Sequence, residues 1–243
     1  MTSEDGKGRT LLEILTGRNK KDMRPLEFQY HNPLEAKVGC TVSFDHEPDI
    51  DGINFVIEKI SVYKTTINRK DFYHTDYHLK GISLDHDKPV RMRMRLIPDE
   101  DVIDDLGHKV QLLYLYNEMP YDEGFRNNVL EDESGEFHVN HADDGKELEE
   151  PRKYWRVGST EHCLRPDPYN SRCTVLVDLD GDGTIEDDEL DHYNSTYWEF
   201  SRMTDDDAGQ EYEEFLTIEM NDDTGFFIFL RGSEVQTSQI MVF

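Results

Sequence analysis

The chain has 243 residues, 36% hydrophobic and 33% charged, with a formal charge of −27 at pH 7. That length suits one large domain or two small ones with a real core, and no apolar run approaches the roughly 18–20 residues of a membrane helix, so membrane insertion is not expected. There are 53 acids against 26 bases and no basic stripe interleaved with aromatics, which argues against nucleic acid as a ligand.

The N-terminus, MTSEDGKGRTLLEILTG, lacks the basic start and long apolar run of a signal peptide, so the cytoplasm is the expected compartment. Thr10 and Glu13 have capping-box spacing, Leu11, Leu12, Ile14 and Leu15 form an apolar face, and Gly17 closes a short helix. With the linker GRNKKDMRP it makes up residues 1–30.

Residues 31–117 read as a first β-rich module. Strand-like runs follow one another: VGCTVSFD, INFVIEKISVYKTT, KDFYHTDYHLKGIS, VRMRMRL and KVQLLYLYNEMP. In VRMRMRL, Arg91, Arg93 and Arg95 alternate with Val90, Met92, Met94 and Leu96. Period two predicts a buried Met/Val/Leu face and an arginine ladder opposite, either solvated or paired with acidic loops. In FYHTDYH the same period puts His74, Asp76 and His78 on one face, a set that would suit zinc or iron but more often makes a polar sheet face. PDEDVIDDLGHKV carries a weak helical period.

Residues 118–150, rich in Asp, Glu, Asn and Gly, read as an acidic connecting loop. Within it HVNHADD offers His138, His141, Asp143 and Asp144 as weak metal candidates. Residues 151–243 read as a second β-rich module, with aromatic strands RKYWRVGS, CTVLVD, STYWEFSRM, EYEEFLTIEM, GFFIFLRG and QIMVF. CTVSFD at 40–45 and CTVLVD at 173–178 are each followed by an aromatic acid-rich strand and then an apolar one. A duplicated β-module and chance similarity between amphipathic strands both account for this, and chance leads.

The stretch with definite chemistry is DLDGDGTIEDDEL, residues 178–190. Asp178, Asp180 and Asp182 occupy loop positions 1, 3 and 5. Gly183 falls at 6, Thr184 at 7, Ile185 at 8, Glu186 at 9 and Glu189 at 12. Over these twelve residues the chain resembles an EF-hand calcium loop. The three aspartates would each give one oxygen, Thr184 its carbonyl, Glu186 an oxygen or a bridging water, and Glu189 both oxygens. Calcium suits the loop better than magnesium, which demands a tighter octahedron. The preceding CTVLV reads as a strand and the following DDELDHY as a short helix. The fold class expected is therefore mainly β (α+β), with a strand–loop–helix calcium site that staples rather than switches.

The rest of the sequence is less specific. Cys40, Cys163 and Cys173 form no CxxC, so reduced thiols are the simpler reading, with a Cys163–Cys173 bridge the alternative for an exported protein. GxSxG, HExxH, GxxxxGK[ST] and GxGxxG after a strand do not occur. The order KVGCTVSFD, DFYHTDYHLKG, YWRVGS, EYEEFLTIEMNDDTGFFIFLRG and QIMVF resembles uncharacterised bacterial proteins of the YjfK-like type. That resemblance implies an accessory protein working with PspA-type membrane-stress partners. The function expected is a calcium-binding, non-enzymatic accessory or interaction protein. The alternative is an enzyme with a carboxylate- or histidine-lined site and structural calcium.

Overall fold

A computed structural model describes residues 36–45, 50, 53–67, 69–82, 89–99, 107–141, 146–158, 166–177, 190–205 and 209–243. The N-terminal helix expected at 10–17 and the calcium loop at 178–189 lie outside the described residues, as do Cys163, Asp143 and Asp144.

The described chain is mostly strand. In order the strands are β1 (Thr41–Phe44), β2 (Phe55–Ile67), β3 (Lys70–Ile82), β4 (Pro89–Pro98), β5 (His108–Pro120), β6 (Glu136–His141) and β7 (Glu147–Arg156). They continue with β8 (Tyr169–Leu176), β9 (Leu190–Asp205), β10 (Glu211–Asn221), β11 (Phe226–Val235) and β12 (Ile240–Val242). A helical turn, Glu123–Phe125, runs on as a π-turn, Arg126–Leu130, between β5 and β6.

Two four-stranded meanders, β2–β5 and β8–β11, close into one eight-stranded antiparallel barrel. Closure joins first strand to first and last to last: β2 pairs β8, and β5 pairs β11. The remaining strands pair outside the ring, β1 with β12 and β6 with β7. A bulge in β2 between Ile57 and Lys59 marks a change of partner, since Phe55 and Val56 pair with β1 whereas Ile60–Thr65 pair with β8.

Most of the apolar residues lie outside the barrel wall. Met92, Met94, Leu96, Tyr77, Leu79 and Ile60 form one cluster with Val42, Phe44, Ile240 and Val242 from β1 and β12. Trp198, Phe200, Leu216, Ile218, Phe227 and Phe229 form a second with Phe137, Val139 and Tyr154 from β6 and β7, and Leu130 from the π-turn. The extra strands thus cover apolar surface that the barrel turns outward, each large side chain contributing about 1.5–3 kcal/mol by leaving water.

β4 is a strand with Met92 and Met94 buried, as alternation predicts. On the opposite face Arg91 is exposed, but Arg93 and Arg95 are buried, pointing into the barrel. Two other expectations are corrected. The segment read as a loop over 118–150 contains β6 and the start of β7, where Phe137 and Val139 alternate inward beneath a composition dominated by acids. His138 and His141 therefore sit on a strand. The stretch PDEDVIDDLGHKV, with its weak helical period, lies outside the described residues over 100–106, and its last residues begin β5 at His108. The exit helix read over DDELDHY gives way at Leu190 to β9, whose ladder with β8 runs through eight register pairs and overrides the helical pattern. The two CTV phrases do not occupy equivalent places, the first being β1 outside the ring and the second the end of the barrel strand β8.

Candidate functional site

The barrel interior is built from alternate residues of its strands, and in this chain most of those residues are polar, with Leu113, Ile228 and Leu230 sharing the same face. From β3 come His74, Asp76 and His78, on one face as the sequence predicts. Arg93 and Arg95 come from β4, Ser61, Tyr63 and Thr65 from β2, and Thr217 and Glu219 from β10. Tyr193, Ser195, Tyr197 and Glu199 come from β9, and Ser171 and Cys173 from β8.

These groups form one connected network. Arg95 binds Asp76 with two bonds, Nε to Oδ1 at 2.8 Å and Nη2 to Oδ2 at 3.0 Å, while its Nη1 reaches Glu199 at 3.3 Å and Thr217 at 3.4 Å. Arg93 Nη1 donates to Glu219 Oε2 at 2.6 Å, to Asp76 Oδ2 at 3.2 Å and to the Tyr63 hydroxyl at 3.3 Å. Tyr63 and Ser195 donate to the other oxygen of Glu219, at 2.9 and 2.8 Å. At the other end of the interior, Thr65 shares a hydroxyl contact with Ser171 and another with Tyr197 at 3.2 Å.

Buried charges on this scale are tolerated only when paired and hydrogen-bonded. Burial alone would raise the pKa of Asp76, but the charge and hydrogen bonds of Arg95 outweigh it and hold the carboxyl well below its usual range. Glu219 is lowered in the same way, burial being overcome by Arg93. Glu199, with weaker compensation, is raised by burial. His74 is stacked on Tyr63 at 4.5 Å and meets Tyr197 edge-on at 5.6 Å; burial and then Arg95 bring its pKa down to about 3, so it is neutral at pH 7. Its Nε2 is buried and has no hydrogen-bond partner among the described residues. Cys173 is a free thiol, raised to about 11 by burial, and so does not present a thiolate.

One mouth of the barrel opens into a cavity of about 370 Å³. Lys59, Arg91, Arg93 and His78 line one side of it, and Leu115, Ile228 and Leu230 the other. Glu58 and Glu118 are also on its wall, and Glu58 is held at 2.8 Å by Lys80. His78 Nε2 and Ser61 Oγ are 2.8 Å apart, and burial, then Arg93, lower the pKa of His78 well below its usual value. Lys59 sits where β2 leaves β8, and the last pair of the β8–β9 ladder, Leu176 with Leu190, lies at the same mouth.

The proposed calcium ligands Asp178, Asp180, Asp182, Thr184, Glu186 and Glu189 are outside the described residues, and only their flanks are placed: Leu176 and Val177 before, Leu190 after. Among the described residues no group of three His, Cys, Asp or Glu side chains is arranged to hold a metal ion. Asp76 gives both oxygens to Arg95, which takes it out of a His74/Asp76/His78 metal set. His138 lies 3.3 Å from Glu136 on the exposed face of β6.

Sequence reading missed the partners of the arginines. Asp76, Glu199 and Glu219 each stand alone among apolar and aromatic neighbours within a strand (TDY, WEF and IEM), and that isolation was the available signal. No protein-family model, curated protein or solved structure matches this chain.

Proposed function

We propose that the chain is a calcium-binding, non-enzymatic protein acting through protein partners, with residues 178–189 stapling the β8–β9 hairpin at one mouth of the barrel. One relationship carries the reading: Leu176 and Leu190 are Cα partners at the end of an antiparallel ladder. Such partners lie about 4.5–5.5 Å apart. Asp178 follows one anchor by two residues and Glu189 immediately precedes the other. The first and twelfth positions of a calcium loop bind the same ion, so their chain ends must be close. An EF-hand meets that requirement with a helix pair; here two strands meet it.

The same flanks favour a staple over a sensor. A sensor works by opening a helix pair, whereas both segments beside this loop are locked into an eight-pair ladder. The enzyme alternative draws on the convergence of His74, Asp76, His78 and Glu219, but Asp76 and Glu219 are each neutralised by an arginine. The PspA-type partner stays a proposal from the family resemblance, to be tested by retention of the purified chain on the immobilised partner; no retention with or without calcium removes it.

Calorimetry with calcium and with chelator tests the staple. A ligand that binds only the folded state stabilises it by about 2.7 kcal/mol at a hundredfold excess over Kd. Glu189→Gln should remove most of that gain, and Asp187→Asn, at a non-ligand position, should keep it. An unchanged wild-type Tm on adding calcium would refute the proposal. A large change in the scattering profile would instead restore the sensor.

A further inference from the structure

We propose that the cavity at the barrel mouth is a binding site for a small organic anion, a molecule with one carboxylate or phosphate head and a short apolar body. This rests on the geometry of the cavity and is independent of the calcium reading.

The first observation is that cations are left over where acids outnumber bases two to one. The chain has 53 acids and 26 bases, and Arg93 and Arg95 are paired in the interior. The side chains of Lys59 and Arg91, on the wall of the same cavity, make no hydrogen bond or ion pair with any described residue. Lys59 is partly buried, and burial followed by the neighbouring Arg93 lowers its pKa. Glu219 and Glu58 act the other way without cancelling this, so a further anion beside the ammonium and the guanidinium is favoured.

The second observation is the way Arg93 is used. All three of its hydrogen bonds leave from Nη1. Nε and Nη2 have no partner among the described residues, and Arg93 lines the cavity. A guanidinium offers five donors in a fixed fork suited to carboxylate or phosphate. The buried network holds the fork in place through one nitrogen and leaves the remaining donors available. This is a pre-ordered anion receptor, with little entropy left to lose on binding.

The third observation sets the rest of the ligand. Leu115, Ile228 and Leu230 form an apolar surface opposite the cations, with Glu118 beside Ile228 on the same side and Glu58, held by Lys80, on the other. At about 370 Å³ the space is at the small end of the range for ligand pockets, and the mouth of a barrel is a common place for one. A bare inorganic ion would leave the apolar wall wet, and a neutral lipid would leave the cations unpaired.

Isothermal titration with octanoate, octyl phosphate and 1-octanol tests this on the whole chain. Octanoate or octyl phosphate, or both, should bind at least tenfold more tightly than octanol, and affinity should fall with added salt. Whichever of the two is preferred identifies the head group. Lys59→Met keeps the aliphatic stem and should weaken anion binding tenfold or more without lowering the ligand-free Tm. Arg91→Gln, a solvent-exposed change, should act in the same direction and guards against misfolding of the first variant. Lys64→Met, at the far end of the barrel, should leave affinity unchanged. No binding of either anion, equal affinity for octanol, or unaltered anion affinity in both Lys59→Met and Arg91→Gln would overturn the proposal.

Discussion

Asp76 and Arg95 are direct cross-strand partners on β3 and β4, and the arginine clasps both carboxylate oxygens inside the barrel. Breaking a buried pair from one side leaves a charge without compensation, at a cost of about 3–5 kcal/mol. Asp76→Asn should therefore lower the unfolding free energy by that amount, read as a fall in the urea midpoint. Asp71→Asn, in the exposed pair with Lys64, should barely move it. Replacing Asp76 and Arg95 together with Leu and Met should cost less than Asp76→Asn alone. An Asp76→Asn midpoint equal to wild type would refute the buried pairing.

His74 sets an acid-side limit on stability. Its folded pKa is lowered to about 3, below the ordinary value of 6.5, so between those values the unfolded chain binds the extra proton. Its contribution is complete above pH 6.5 and is lost as pH falls towards 3, at about 1.4 kcal/mol per pH unit. His78, lowered in the same direction, adds to the slope. Stability of the wild type measured from pH 7 to 4 should fall more steeply than that of His74→Phe. Parallel curves would mean that His74 is charged in the folded state.

Two backbone positions should respond in opposite directions. A Cβ at Gly232 would overlap the carbonyl oxygen of Leu112 on the neighbouring strand, where only backbone movement gives relief. Gly232→Ala should cost about 1–3 kcal/mol or more. Arg69, at the β2–β3 turn, has φ of 66°, a conformation that a Cβ disfavours by about 1–2 kcal/mol. Arg69→Gly should be neutral to mildly stabilising once the added freedom of the unfolded chain is subtracted. Thermal melts of both variants decide this, and a tolerated Gly232→Ala would put the β5–β11 closure in question.

The two tryptophans give a direct optical check. Trp198 is fully buried and its Nε1 donates to Glu131 at 3.0 Å, whereas Trp155 on β7 is half exposed. Acrylamide should quench Trp155→Phe, which retains only Trp198, far less than Trp198→Phe. Equal quenching would contradict the packing of β6 and β7 over the barrel.

Much of the strand structure was legible, because alternation in VRMRMRL and FYHTDYH reports faces directly. What alternation does not report is which side of a sheet is solvent. An arginine row facing a barrel interior has the same pattern as one facing water, so burial of Arg93 and Arg95 required knowing that β10 and β9 would bring Glu219 and Glu199 opposite them. Closure of β2 on β8 and β5 on β11 leaves no local mark. The strands β6 and β12 are short and set among acids or polar turns, so their packing role became visible only with the apolar outer wall they cover. The calcium motif is local, and its flanking ladder could be expected only on the entering side, where CTVLV is rich in β-formers.

First-to-first and last-to-last closure also bears on how the chain folds. Arg93 and Glu219 are 126 residues apart in sequence, so during synthesis β4 emerges long before its counter-ion. Until β10 is made, the first meander has one interior carboxylate, Asp76, for its two interior arginines, Arg93 and Arg95. The β2–β8 ladder can form once β8 is made, but the β5–β11 ladder that completes the ring must wait for β11, and such non-local pairing places folding at the slow, milliseconds-to-seconds end of single-domain behaviour. The charged interior therefore acts as a late checkpoint, since an incomplete chain can offer its two buried arginines only Asp76 and lacks Glu199 and Glu219.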